Sequence, residues 1–133
     1  MRSALYDDLG RLVLRLAVGG LMLFHGFAKL GNSGALDWIG RQLADAGLPS
    51  VVAYGVFIGE IVAPLMVLAG VYCRVGGALI VVNLCFAVGL AHLPEIFALG
   101  QQGGYALELQ AFYALGGVAL ALLGSGRFAV KPD

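Results

Sequence analysis

Six ionisable side chains stand out because nearly everything around them is apolar: Arg15, His25, Lys29, Glu60, His92 and Glu108. Carboxylates beside lysine, arginine and imidazole can hold a ligand oxygen or hand on a proton, and burial tunes such groups for that work. Asn83, Gln110 and Tyr113 add neutral hydrogen-bonding groups as secondary candidates. The plainer alternative is that the charges are ion pairs holding helices in register, with the neutral groups as helix–helix glue. Six ionisable groups exceed what assembly needs, which favours a polar pocket.

The surroundings of these residues are set by composition. The chain has 133 residues, 60% hydrophobic and 12% charged, with eight basic and eight acidic side chains. Soluble domains carry roughly 45–50% apolar and about 25% charged residues, and a chain this short cannot hide so large an apolar excess from water. The same figures exclude intrinsic disorder. Zero net charge argues against a nucleic-acid partner. A small integral membrane protein of one domain, residues 1–133, remains, with the lipid bilayer as its first partner.

A helix needs about 20 mostly apolar residues to cross the hydrocarbon core. Residues 8–30, 50–72, 74–93 and 105–124 qualify, predicting an all-α membrane four-helix bundle of antiparallel, up-down topology. Gly and Pro are tolerated inside such helices, so Gly19-Gly20, Pro64 and Gly116-Gly117 do not count against them. Arg2, Arg11, Arg74, Arg127 and Lys131 fall on one side against Lys29 and Arg41 on the other. That bias places both termini in the cytoplasm of a bacterial-type inner membrane. A signal peptide is the competing reading of the first span, with Ser33-x-Ala35 as a weak cleavage match, but its loss would strand Glu60 and Glu108. In the first outer loop, Asn32 offers a cap and Leu36, Ile39 and Leu43 recur at helical spacing until Gly47 and Pro49. This predicts a short interfacial helix. Gly55-x-x-x-Gly59, continued by Ala63, is a small-residue stripe read as packing within the chain, ahead of homo-oligomer formation.

A charge inside a span faces the bundle and seeks a partner. At 100° per residue, Arg15, His25 and Lys29 fall within roughly 80° on the first helix. With a 1.5 Å rise, His25 lies about 9 Å, Glu108 about 5 Å and Glu60 about 14 Å from the outer ends of their helices. The expected arrangement is a polar column opening outward, pairing Glu108 with Lys29 and Glu60 with Arg15. Asn83 sits about 180° around the third helix from His92, so the two share a pocket only if the helix is distorted near Gly89. Cys73 and Cys85 are too far apart along the helix to pair and are expected to be packing thiols. No metal site is expected, since the Glu-x-x-His pattern of di-iron bundles is absent. Haem between His25 and His92 is disfavoured by Lys29 and Glu108 at the same level.

Arg15 followed by His25-Gly26-x-x-Lys29-Leu30 resembles the opening of the DoxX family of small four-helix membrane proteins. Glu60 with Leu68-Ala69-Gly70 and Arg74, Ala91-His92 closing the third span, and Glu108 opening the fourth extend the resemblance over residues 10–127. The loop after His92, residues 94–104, is short, which puts contacts made by a longer family loop in doubt. The resemblance implies quinone or thiol redox chemistry at the membrane, beside a soluble redox-enzyme partner. The chain carries no flavin fingerprint, Fe–S cysteine pattern or redox dithiol of its own. The expected role is therefore a quinone-binding or anchoring subunit of an oxidoreductase rather than a self-sufficient enzyme, with no intrinsic cofactor. A small proton-coupled transporter or channel using Glu60, and a structural assembly factor, are the alternatives.

Overall fold

The computed structural model describes residues 1–133 as an all-helical chain with only two isolated β-bridges. Helix α1 spans Arg2–Leu30 and α2 spans Ser33–Asp45. Helix α3, Ser50–Ala69, begins as a 3-10 turn and passes through a π turn at Ile58–Val62 before becoming α-helical. Helix α4, Cys73–Glu95, ends in a π turn at Val88–His92 and a 3-10 turn, and α5 covers Glu108–Leu123. Three helices, α1, α3 and α4, are long and apolar enough to cross a membrane. The predicted fourth span is helical over only 16 residues, about 24 Å, because residues 105–107 form a turn.

Glycines show how the helices run. Gly19 and Gly26 of α1 lie on Pro64 and Glu60 of α3, and Gly76 of α4 lies on Ala63 and Val67. Gly77 and Gly117 bring α4 against α5, and Gly116 meets Val18 of α1. In each pair one number rises as the other falls, so these neighbours are antiparallel. Of the small-residue stripe on α3, Gly59 and Ala63 are packed against α4 while Gly55 faces open space. The core is thin and contains Met22, Val67, Ile80 and Leu120. Large apolar side chains instead point outward, Phe112 being 80% exposed and Phe24, Leu115 and Leu122 similarly bare. An apolar exterior around helices of this length fits a bilayer, where lipid takes the place of water.

Helix α2 forms as its sequence predicts. Asn32 Oδ1 accepts from the Ala35 amide at 3.2 Å, and Gly47 stops the helix with φ +82°.

Arg15 corrects the expected pairing with Glu60. It is 1% exposed, and no carboxylate lies beside it. Its Nε donates to the Val67 carbonyl at 2.8 Å and Nη2 to Leu68 at 2.8 Å. Its Nη1 donates to the carbonyls of Ser125 and Phe128 at 3.1 and 2.6 Å. The guanidinium thus binds carbonyls near the end of α3, at the negative end of the helix dipole, and ties them to the chain after α5. Helical side chains lean toward the helix N-terminus, so Arg15 reaches away from Glu60. Glu60 itself sits at the level of Gly26, about 16 Å further along α1.

The tail is built on this contact. Val130 and Lys131 amides donate to the Ala69 and Gly70 carbonyls, and Gly70 takes φ +73° to close the α3 end. Arg74 repeats the device on α5, donating to the Ala121 and Leu122 carbonyls at 3.2 and 2.6 Å. The Asp133 carboxylate accepts from the Arg74 amide at the start of α4, where a negative group is favoured.

Arg15→Ala strands buried carbonyls and is expected to cost roughly 3 kcal/mol or more, seen as a large drop in the unfolding midpoint of the detergent-purified protein. Arg15→Lys recovers only part of it, because an ammonium lacks the planar fork. An unchanged midpoint in Arg15→Ala contradicts this account.

Candidate functional site

The end opposite the tail holds a cavity of about 330 Å³ between α2, α3 and α4, with Lys29 of α1 on its wall. Twenty residues line it, thirteen of them hydrophobic. Trp38, Ile39 and Leu43 of α2 face Val56, Ile58, Val82, Phe86 and Leu90 of α3 and α4. Its polar groups are few: Lys29, Gln42, Glu60, Asn83 and His92.

Three of these are joined. Lys29 Nζ lies 2.5 Å from Glu60 Oε2, and Asn83 Nδ2 donates to Glu60 Oε1 at 3.4 Å. The Lys29 and Glu60 side chains are 25% and 9% exposed, so the pair is largely removed from solvent. Glu60 was expected near the membrane midplane beside Arg15, and Lys29 beside Glu108. Instead, Lys29 continues the α1 stripe of Gly19, Met22 and Gly26 that faces α3, and its stem leans back toward the level of Glu60.

Two glycines clamp the carboxylate in place. A Cβ at Gly26 would strike the Glu60 carbonyl, and one at Gly59 would strike Asn83. With glycine at both positions, α1 and α4 approach α3 closely enough for Lys29 and Asn83 to reach Glu60. The backbone of α3 is also altered here. Pro64 has no amide to donate to the Glu60 carbonyl four residues back, and the π turn Ile58–Val62 takes up the broken ladder.

The second π turn, Val88–His92, explains how Asn83 and His92 line one cavity despite their spacing of about half a turn. Its wider turn rotates the end of α4. His92 Nδ1 lies 3.4 Å from Glu95 Oε1, a partner that the sequence reading passed over although its i,i+3 spacing was visible. Gln42 and Trp38 were likewise missed, because only the fold brings α2 over the cavity.

The structure therefore gathers Lys29, Glu60, Asn83 and His92 and leaves the other candidates elsewhere. Arg15 belongs to the tail end. His25 is exposed, with its ring edge-on to Tyr113 of α5 at 5.7 Å between centroids. Tyr113 is buried in the core cluster. Gln110 is part-buried on α5 and outside the cavity lining. Glu108 is exposed in the first turn of α5, an acidic residue at a helix N-terminus with no ion-pair partner. The outward polar column is thus a compact triplet plus His92. Cys73 is buried and Cys85 exposed, neither in a disulfide.

Chemically, the cavity pairs an apolar volume with one polar pole that is already charge-neutral. Volumes of roughly 300–1,000 Å³ with a few placed polar groups are typical of small-molecule sites.

Comparison with known proteins places this architecture. A protein of Bacillus subtilis (strain 168) named "Putative oxidoreductase CatD" is 29% identical over 126 residues, covering 94% of this chain and 87% of that protein. No solved structure matches the chain significantly. The DoxX family model matches residues 10–93, a stretch that includes most of α1, the cavity and the whole Lys29–Glu60–Asn83 triplet, and the chain belongs to the DoxX family.

Proposed function

We propose that this membrane protein binds the head group of a quinone in the cavity beside Lys29, Glu60 and Asn83. It would serve as the quinone-binding or anchoring subunit of a redox complex whose electrons come from a soluble partner. The observation that carries the reading is the apolar cavity with a single lysine–carboxylate–amide pole on its wall. A quinone combines a flat apolar ring with carbonyl oxygens, so the ring occupies the apolar volume while Lys29 and Asn83 supply donors. Glu60 holds the Lys29 ammonium at the cavity wall, leaving its other N–H groups for a ligand oxygen. The relative's name, which speaks of an oxidoreductase, agrees in kind. In this reading α5 is a short fourth span, α2 lies in the outer interface with Trp38 as an anchor, and both termini are cytoplasmic.

One observation favours a structural role for part of the charge set. Arg15 spends all its bonds on backbone carbonyls, so binding is assigned to the opposite end alone.

Short-chain ubiquinone and menaquinone analogues should raise the melting temperature of the purified protein, by about 2.7 kcal/mol of linkage at a hundredfold excess over Kd. Lys29→Met alone should cost about 3–5 kcal/mol by stranding Glu60. Lys29→Met/Glu60→Leu should regain most of that stability yet show no analogue shift. No shift with wild-type protein at saturating analogue, and no quinone in its lipid extract, rejects the reading.

The topology is checked separately. A reporter active only in the cytoplasm, fused after Asp133 and expressed in bacteria, should be active, and the matching periplasmic reporter silent. The reverse pattern overturns the proposed orientation.

A further inference from the structure

The polar triplet satisfies itself, which raises the question of how a proton enters or leaves the cavity. Lys29 is held at 2.5 Å by Glu60, and both Glu60 oxygens have partners. One other titratable group lines the cavity: His92. It is the most exposed of the titratable groups on the cavity. Its side chain is 33% exposed, and that of Glu95, on its Nδ1, is 48% exposed. His92 closes the π turn at the end of α4, so one residue touches both the cavity and the surrounding medium.

The contact with Glu95 also fixes the chemistry of the ring. A carboxylate accepts and cannot donate, so Nδ1 carries the proton facing Glu95, and in the neutral ring Nε2 keeps its lone pair. Protonated, the same nitrogen becomes a donor. The other charged groups facing this region are Lys29 from α1 and Glu60 from α3, which neutralise each other. The α2 residues on the cavity, including Trp38 and Gln42, are uncharged.

We propose that His92, oriented by Glu95, is the proton-exchange residue of the cavity, taking up a proton from the medium and passing it to a ligand oxygen as electrons from the soluble partner reduce the ligand. This rests on the quinone reading and deepens it. In the exchange the Nε2–H bond breaks as the ligand O–H bond forms, leaving a neutral ring whose Nδ1 proton still faces Glu95. Uptake of a proton from the medium restores the imidazolium, whose charge Glu95 offsets, and two such turns supply the two protons of a two-electron reduction. Lys29, Glu60 and Asn83 hold the ligand without changing their own protonation. Glu95 is a positioning residue.

The two redox forms of one probe separate these roles. A hydroquinone offers a hydroxyl and needs neutral His92, whereas a quinone offers only acceptors and gains from the protonated ring. With decyl-ubiquinone and its hydroquinone, affinity measured from pH 5 to 8 should slope in opposite directions. Hydroquinone binding strengthens and quinone binding weakens as pH rises, each by about fivefold, the weight of one hydrogen bond. Imidazoles titrate in this window, whereas phenolic hydroxyls ionise near pH 10. His92→Asn should keep binding and flatten both slopes. Glu95→Gln should shrink both slopes, because an amide can donate as well as accept and no longer fixes the proton on Nδ1. His25→Asn, altering the other histidine, should change neither. Slopes that persist in His92→Asn, or that vanish in His25→Asn, overturn the proposal while leaving quinone binding intact. Absence of binding by wild-type protein overturns the quinone reading and this role together.

Discussion

A guanidinium with almost no exposure and no carboxylate beside it is the constraint on which the fold turns. In water such a charge would be solvated. In a bundle whose exterior is apolar, every donor must find an acceptor inside the protein. Arg15 finds backbone oxygens near the end of α3 and two from the segment after α5, the Val67 carbonyl also taking the Gly70 amide. The same bonds offset the negative end of the α3 dipole. Arg74 treats the end of α5 in the same way. Because these two arginines are satisfied by carbonyls, no acidic side chain from the interior is needed at the tail end. Asp8 and Asp133 serve its periphery, on Arg127 and on the start of α4. Glu60 is thereby left to the other end of the molecule, where Lys29 meets it.

Much of this was legible from composition and spacing, because hydropathy acts over whole segments. The helices at 50–72 and 74–93 appear within a few residues of their expected bounds, and α2 appears where Asn32, Gly47 and Pro49 place it. Spacing put Lys29, Glu60 and His92 in one polar column with Arg15, His25 and Glu108, since a charge in an apolar helix has few places to go, and the fold sets the last three elsewhere. Which charge pairs with which was not legible. A helical wheel gives the direction of a Cβ, but a long side chain leans along the axis, so Lys29 reached a level that the depth estimate assigned elsewhere. Two π turns then shifted the register on which the estimate for Glu60 and the separation of Asn83 from His92 depended. Pro64 announced the first of these, but a proline alone does not say whether a helix kinks, stops or widens.

His25 is the sharpest lesson in the limits of angular reasoning. It lies beside a glycine that faces α3, yet one residue's rotation carries it out of the interior to Tyr113. The glycine between His25 and Lys29 matters more to the site than the histidine does. Gly26 lets α1 rest on the Glu60 carbonyl, and Gly59 makes the matching approach to Asn83. The short motif His25-Gly26-x-x-Lys29 thus contains a spacer and a cation, with the imidazole facing a different helix.

The same close approaches constrain what the cavity can accept. Lys29 and Glu60 cancel, so the pole presents no net charge, and most of the wall is apolar. Moving an anion into such a space removes its hydration while offering only a cation already committed to a carboxylate, a poor exchange at low dielectric. A neutral ligand with one or two oxygens faces a smaller obstacle. The weakest bond of the triplet, from Asn83 to Glu60 at 3.4 Å, is the one most readily given up to it. The geometry therefore favours an uncharged, oxygen-bearing ring over an inorganic oxyanion.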